Sequence, residues 1–203
     1  MRNNVLAVLI SVLLPGCMMW DAGYTSNAPV TRYTLQELAK VPVSYSVTLY
    51  TFDEDIAVPT EASLRQNVGE ALRDTGLFSE VRYGNGEDPY HIAFRFWLSG
   101  EENDVKNSTA LIAGYTLLLV PVGGVMTFDG DVIISLQGKA IYSSAKAEEM
   151  HEVIWIPVAP FGLFMNSWMA WRDLERGTIN ALVNDVAKEH NKRFLSEERV
   201  QQQ

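Results

Sequence analysis

From Tyr90 to Leu98 the chain alternates without a break, with Tyr90, Ile92, Phe94, Phe96 and Leu98 on one side of an extended backbone and His91 on the other. A strand of this kind is apolar on one face only, so its sheet needs a cover over that face. Val43 to Phe52 repeats the pattern, with Tyr45, Val47 and Leu49 alternating with Ser44, Ser46 and Thr48. So does Asp131 to Tyr142, with Val132, Ile134, Leu136, Ala140 and Tyr142 on one side. Ser79 to Tyr83 reads as a short strand followed by the turn residues Gly84-Asn85-Gly86. Met150 to Val158 follows Asp131 to Tyr142 across the polar stretch Ser143 to Glu149, and the two are expected to form an antiparallel hairpin.

The cover comes from two helical stripes. Pro59-Thr60 offers an N-cap, Leu64, Val68, Ala71 and Leu72 follow at helical spacing, and Thr75-Gly76 supplies a stop. From Trp168 to Leu195 a longer stripe carries Leu174, Ile179, Leu182, Val183, Val186 and His190, weakened at Gly177 by about 1 kcal/mol relative to Ala. The expected fold is α+β: a single mixed or antiparallel sheet, made of a βαββ unit plus a β-hairpin, with two main helices, the second C-terminal.

Composition narrows the class of partner. The chain has 203 residues, 47% of them hydrophobic, enough for one sizeable core. Its 25 acidic residues against 16 basic ones give a net charge of -9, which leaves no basic surface for a phosphate backbone and argues against a nucleic-acid partner. A single Cys excludes an intrachain disulfide and any Cys-rich metal site.

That Cys sits near the N-terminus, after Arg2 and an uncharged, mostly aliphatic run from Val5 to Pro15. The run is too short to cross about 30 Å of hydrocarbon, which needs roughly 20 residues, and reads as an export signal. Leu14-Pro15-Gly16-Cys17 resembles the lipobox of bacterial prolipoproteins, departing from it in Pro15, where a small or hydroxyl residue is usual. The resemblance implies cleavage before Cys17, a diacylglyceryl thioether on its sulfur and an acyl group on its nitrogen. Three chains, at about 0.8 kcal/mol per buried CH₂, far exceed what stable anchoring requires. No cofactor is implied beyond this covalent lipid on Cys17. In enterobacterial members an Asp after the Cys favours the inner membrane. Met18 stands here, which implies the outer membrane with the domain facing the periplasm. Trp20 and Asp21 to Val30, with Gly23, Ser26, Asn27 and Pro29, read as a tether. The expected boundaries are a signal peptide over 1–16, a lipidated N-terminus and tether over 17–40, a periplasmic domain over 41–197 and a disordered tail over 198–203.

Two stretches, Ala110 to Phe128 and Val153 to Trp171, carry no charge over 19 residues each. Both approach the length of a membrane span. Pro121-Val122-Gly123-Gly124 breaks the first; Pro157 and Pro160, with Asn166 and Ser167 beyond, break the second. The breaks favour shorter core elements, with Val125 onward leading into a strand and Val153 to Val158 completing a hairpin. A second reading makes Phe161, Leu163, Phe164, Met165, Trp168, Met169 and Trp171 an exposed patch for a partner or for shallow insertion among lipids. A third makes 110–128 and 153–171 true spans of an inner-membrane protein.

Catalytic signals are weak. None of His91, His151 and His190 has a second ligand at metal spacing, and Glu148-Glu149-Met150-His151-Glu152 lacks the second His of the zinc-protease motif. His91, opposite Phe94 and Phe96, is expected at the surface or partly covered, and His190 is expected to be structural. Ser143-Ser144-Ala145-Lys146 satisfies Ser-x-x-Lys without the accompanying Lys-Thr-Gly or Ser-Asp-Asn signals. Asp53-Glu54-Asp55 lacks the spacing and Gly of a calcium loop. The sequence therefore reads as a lipid-anchored envelope protein, not an enzyme and without a metal, that binds an envelope protein as an accessory or assembly factor. The competitors are a cell-wall enzyme using Ser143 or His151 and the two-span inner-membrane protein.

Overall fold

The computed structural model describes residues 16–21, 29–33, 40–51, 60–84, 86, 88–100, 122–155 and 167–201. In chain order the elements are β1 (Gly16–Asp21), β2 (Val41–Thr51), α1 (Glu61–Asp74), β3 (Phe78–Tyr83), β4 (Tyr90–Gly100), β5 (Val122–Leu136), β6 (Lys139–Trp155) and α2 (Ser167–Gln201). The strands form one sheet in the order β1-β6-β5-β4-β2-β3. It is mixed: β1 runs antiparallel to β6, whereas β2 is parallel to both β3 and β4. The fold is α+β, as the alternating strands and two helical stripes require.

The chain divides into two compact units, a larger one drawn from Thr25–Leu98, Phe128–Ala147 and Glu175–Gln203, and a smaller one drawn from Met1–Tyr24, Ser99–Thr127 and Glu148–Leu174. In the larger unit the expected apolar face is the core. Val43, Tyr45 and Val47 of β2, Ile92, Phe94, Phe96 and Leu98 of β4, and Phe128, Val132 and Ile134 of β5 are all buried. Phe96 lies parallel to Phe128 at 5.4 Å and to Phe94 at 6.5 Å. Leu64, Val68 and Leu72 of α1 and Ile179, Leu182, Val183 and Val186 of α2 are buried too.

Two glycines let the helices approach this face. A Cβ on Gly69 of α1 would strike the Tyr45 hydroxyl, which donates a hydrogen bond to the Arg65 carbonyl at 3.0 Å. On Gly130 of β5 it would come within 2.9 Å of Leu182 and 3.1 Å of the Phe96 ring. Both helices therefore cover the same side of the sheet. Thr60 is the N-cap of α1, accepting from the Ser63 amide at 3.1 Å. The second helix begins at Ser167 and runs to Gln201, past Leu195, with Gly177 buried inside it.

Two connections depart from the sequence reading. The β5–β6 turn is Gln137-Gly138, both at positive φ (51° and 75°), the form a two-residue hairpin loop demands. Ser143 to Glu149, read as the turn, lies instead within β6. Polarity is a weaker turn signal than a Gly able to adopt a left-handed conformation, and Gly138 has nothing within 4 Å of where a Cβ would stand. The Gly84-Asn85-Gly86 segment does not join neighbouring strands either. Tyr83 at the end of β3 pairs with Tyr45, and His91 at the start of β4 pairs with Ser44 on the other side of β2. The chain must cross β2 to get from one to the other.

Candidate functional site

Cys17, the position expected to carry lipid, lies on a strand. Along β1, Gly16, Cys17 and Met18 are registered with Trp155, Ile154 and Val153 of β6, and Met19, Trp20 and Asp21 with Glu152, His151 and Met150. The ladder is uncharged at its Gly16 end and acquires charge only at Glu152 and Asp21, with Glu148 and Glu149 beyond on β6. Ser99 and Thr127, elsewhere in this smaller unit, join their hydroxyls.

Of the proposed apolar patch, Phe161, Phe164 and Met165, together with Leu163, lie outside the described residues. Trp168 and Met169 fall in the first turns of α2, their side chains outside the description. Trp171 is described and is only 5% exposed, so this member is not at the surface. The uncharged runs are not continuous helices. Residues 122–128 belong to β5 and 153–155 to β6. Among the described residues no helix is long and apolar enough to cross a membrane.

His91 departs from the sequence expectation. It is on the face opposite Phe94, as the alternation requires, but it is buried, because the crossover passes over that face. A Cβ at Gly86 would stand 3.4 Å from the imidazole and one at Gly84 3.8 Å from Ser44. Beneath the loop, His91 Nδ1 lies 2.8 Å from Ser44 Oγ and Nε2 3.0 Å from Ser46 Oγ. Burial holds this imidazole below its ordinary pKa, with Asp88 pulling weakly the other way. A neutral ring satisfies the site when one nitrogen donates to one serine and the other accepts from the second. A histidine accepting from a serine hydroxyl is also the start of a nucleophile–base pair. The neighbouring cavity of about 300 Å³, lined by Val41, Pro42, Val43, Arg82, Tyr90 and Leu136 among others, includes neither serine. The cluster acts as a polar clamp joining β2 to β4. Its signal was present in the sequence as Ser44 and Ser46 on one strand and His91 on another, but only the crossover identifies them as partners.

His190 is buried. It is 1% exposed, Nδ1 lies 3.2 Å from the Tyr90 hydroxyl, and the edge of its ring meets Phe78 at 5.2 Å. Burial lowers its pKa to about 4 and raises that of Tyr90. His151 is a β6 residue registered with Trp20. Ser143 is exposed on the same strand, whereas Ser144 donates to Asp185 at 2.7 Å and Lys146 pairs with that carboxylate at 3.1 Å. The Ser-x-x-Lys match therefore consists of an exposed serine and a lysine tied to α2. Among the described residues no group of three or more His, Cys, Asp or Glu side chains could hold a metal ion.

The outer face carries one row that sequence reasoning missed. Tyr50 stacks on Trp97 at 5.3 Å, the Arg95 guanidinium stands 5.5 Å from the Trp97 ring, and Arg95 makes a two-pronged ion pair with Asp131. Tyr50 is the register partner of Trp97, and β4 neighbours β5 in the sheet, the Gln137 amide donating to the Pro89 carbonyl at 2.6 Å.

No family model matches the chain, and no curated protein does. Solved structures match at low identity. The chain is similar to a neuraminyllactose-binding hemagglutinin homolog from Helicobacter pylori (10% identity, 84% of this chain and 96% of that one, TM-score 0.44). It is also similar to the PelC dodecamer from Paraburkholderia phytofirmans (11%, 81% and 98%, 0.29) and to rare lipoprotein B from Shewanella oneidensis (12%, 78% and 99%, 0.28). At these TM-scores the likeness carries no argument about what this chain does.

Proposed function

We propose that this chain is an envelope lipoprotein, anchored through acyl chains on Cys17, whose α+β domain faces the periplasm from the outer membrane and binds another envelope protein as a non-catalytic accessory or assembly factor. One observation carries the reading: the only Cys in the chain stands at the end of Leu14-Pro15-Gly16-Cys17, behind an uncharged run too short to span. The strand conformation of 122–128 and 153–155 supports anchorage by lipid over anchorage by two helical spans. Met18 supports sorting outward.

The test is a Cys17→Ala variant expressed in its native envelope with a radiolabelled fatty acid. The expected result is loss of label and accumulation of the unprocessed precursor; undiminished incorporation would refute the anchor. The binding role is tested by crosslinking the native envelope and identifying the captured protein, then replacing Phe164 and Trp168 by polar residues. Weaker capture with an unchanged circular-dichroism spectrum supports the patch as the contact, and unchanged capture removes those two residues from it.

A further inference from the structure

The tether expected after Cys17 starts as a paired strand, and that pairing has a direction. Cleavage before Cys17 removes Gly16, so in the processed chain Cys17 and Met18 lie beside Ile154 and Val153 with Trp155 next on β6, five positions without a charge, and the chain beyond Trp155 remains uncharged to Trp171. At the other end stand Asp21 and Glu152, followed on β6 by Glu149 and Glu148. The five pairs that remain, at about 3.4 Å per residue, separate the two ends by roughly 14 Å. Anionic lipid headgroups repel carboxylates, whereas Trp, the residue type at position 155, is suited to the membrane–water interface.

Resting on the lipoprotein reading above, we infer that the uncharged end of the β1–β6 ladder is itself the bilayer-facing surface of this protein, with the acyl chains leaving from a strand and not from a free tether. The partner is a lipid bilayer. The anchor then sets orientation as well as attachment. The ladder stands with its Cys17–Ile154 end in the headgroup region and its Asp21–Met150 end in water, because tilting it flat would press Glu152 and Asp21 against the headgroups.

The experiment uses the processed lipoprotein in vesicles of phosphatidylethanolamine and phosphatidylglycerol, with acylation verified by mass spectrometry and association by flotation. Spin labels are attached singly through Val153→Cys, Ile154→Cys, Glu149→Cys and Met150→Cys; the acylated Cys17 cannot react with the reagent. Adjacent positions sample both sides of the strand. The expected result is an oxygen-to-nickel accessibility ratio several-fold higher at position 153 or 154 than at 149 and 150. Equal, water-like values at all four in protein that is acylated and floats would overturn the orientation while leaving the lipoprotein reading standing. Absence of acylation and flotation would remove that reading, and this inference with it. A second measurement does not depend on the labels. In an antiparallel ladder, opposite pairs alternate between hydrogen-bonded and closer non-hydrogen-bonded geometry, so one of Met19→Cys/Glu152→Cys and Trp20→Cys/His151→Cys has the spacing for a disulfide. One of the two should close within the monomer on oxidation in the membrane, and closure of neither would show that β1 leaves the sheet in the mature protein.

Discussion

The larger and smaller units carry their apolar residues in different patterns. In the larger one, core strands mark their two sides: Tyr45 and Val47 are buried while Ser46 between them is half-exposed, and Phe94 and Phe96 are buried while Arg95 between them is not. In the smaller one, Val122 to Thr127 and Val153 to Trp155 are strands without any charged residue to mark a side. Burial on one face leaves a period of two in the sequence, whereas a uniformly apolar run is compatible with a buried strand, a buried helix or a span. A pattern of contrasts specifies direction; an excess of hydrophobicity specifies only that water is unwelcome.

The contrast is tested most severely at its best-packed point. Phe96 is fully buried between Phe94 and Phe128, and Phe96→Ala should lower stability by about 3–5 kcal/mol in urea unfolding. A loss near 1 kcal/mol would mean that the stacked rings are not a tightly packed core.

Acid should act on the same unit. His190 binds its proton at about 4 in the folded chain against 6.5 unfolded, and the pKa of His91 is lowered in the same direction. The folded state therefore holds fewer protons, so the stability is fully present above pH 6.5 and is lost as the pH falls towards 4. For His190 the loss approaches roughly 3 kcal/mol at the bottom of that window. His190→Leu should flatten the dependence, measured as the urea midpoint at pH 7 and pH 4.5.

Smaller effects probe the helix contacts. Gly130→Ala should cost about 1–3 kcal/mol by forcing Leu182 and Phe96 apart, read from the thermal midpoint. Thr60→Ala should cost about 1 kcal/mol by removing the cap from the Ser63 amide, seen as a small shift in the urea midpoint. If the cap proves as costly as Gly130, the close approach of α2 to β5 is looser than the distances imply.

Much of the larger unit was legible because its signals are local. Thr60 caps the helix it was expected to cap, Leu64, Val68 and Leu72 are buried, and the odd positions of β2 face the same core as the even positions of β4. The hairpin was misplaced because Asp131 to Tyr142 continues to look like one alternating strand across Gln137-Gly138, and only the backbone shows both residues at positive φ. The burial of His91 exceeds the surface or partly covered position that the alternation suggests, because nothing in its neighbours announces that Gly86 lies against the ring.

By itself, the sequence determined which faces are apolar, where α1 starts, and that one sulfur ends a stretch resembling a lipobox. These follow from residue type and spacing over a few positions, where side-chain period and capping chemistry act directly. Tertiary structure alone decided that β2 lies between β3 and β4, that two serines meet His91, and that Cys17 runs beside Ile154. Such pairings depend on contacts between residues far apart in the chain, chosen by the packing of the whole sheet and not by any preference of the residues that make them.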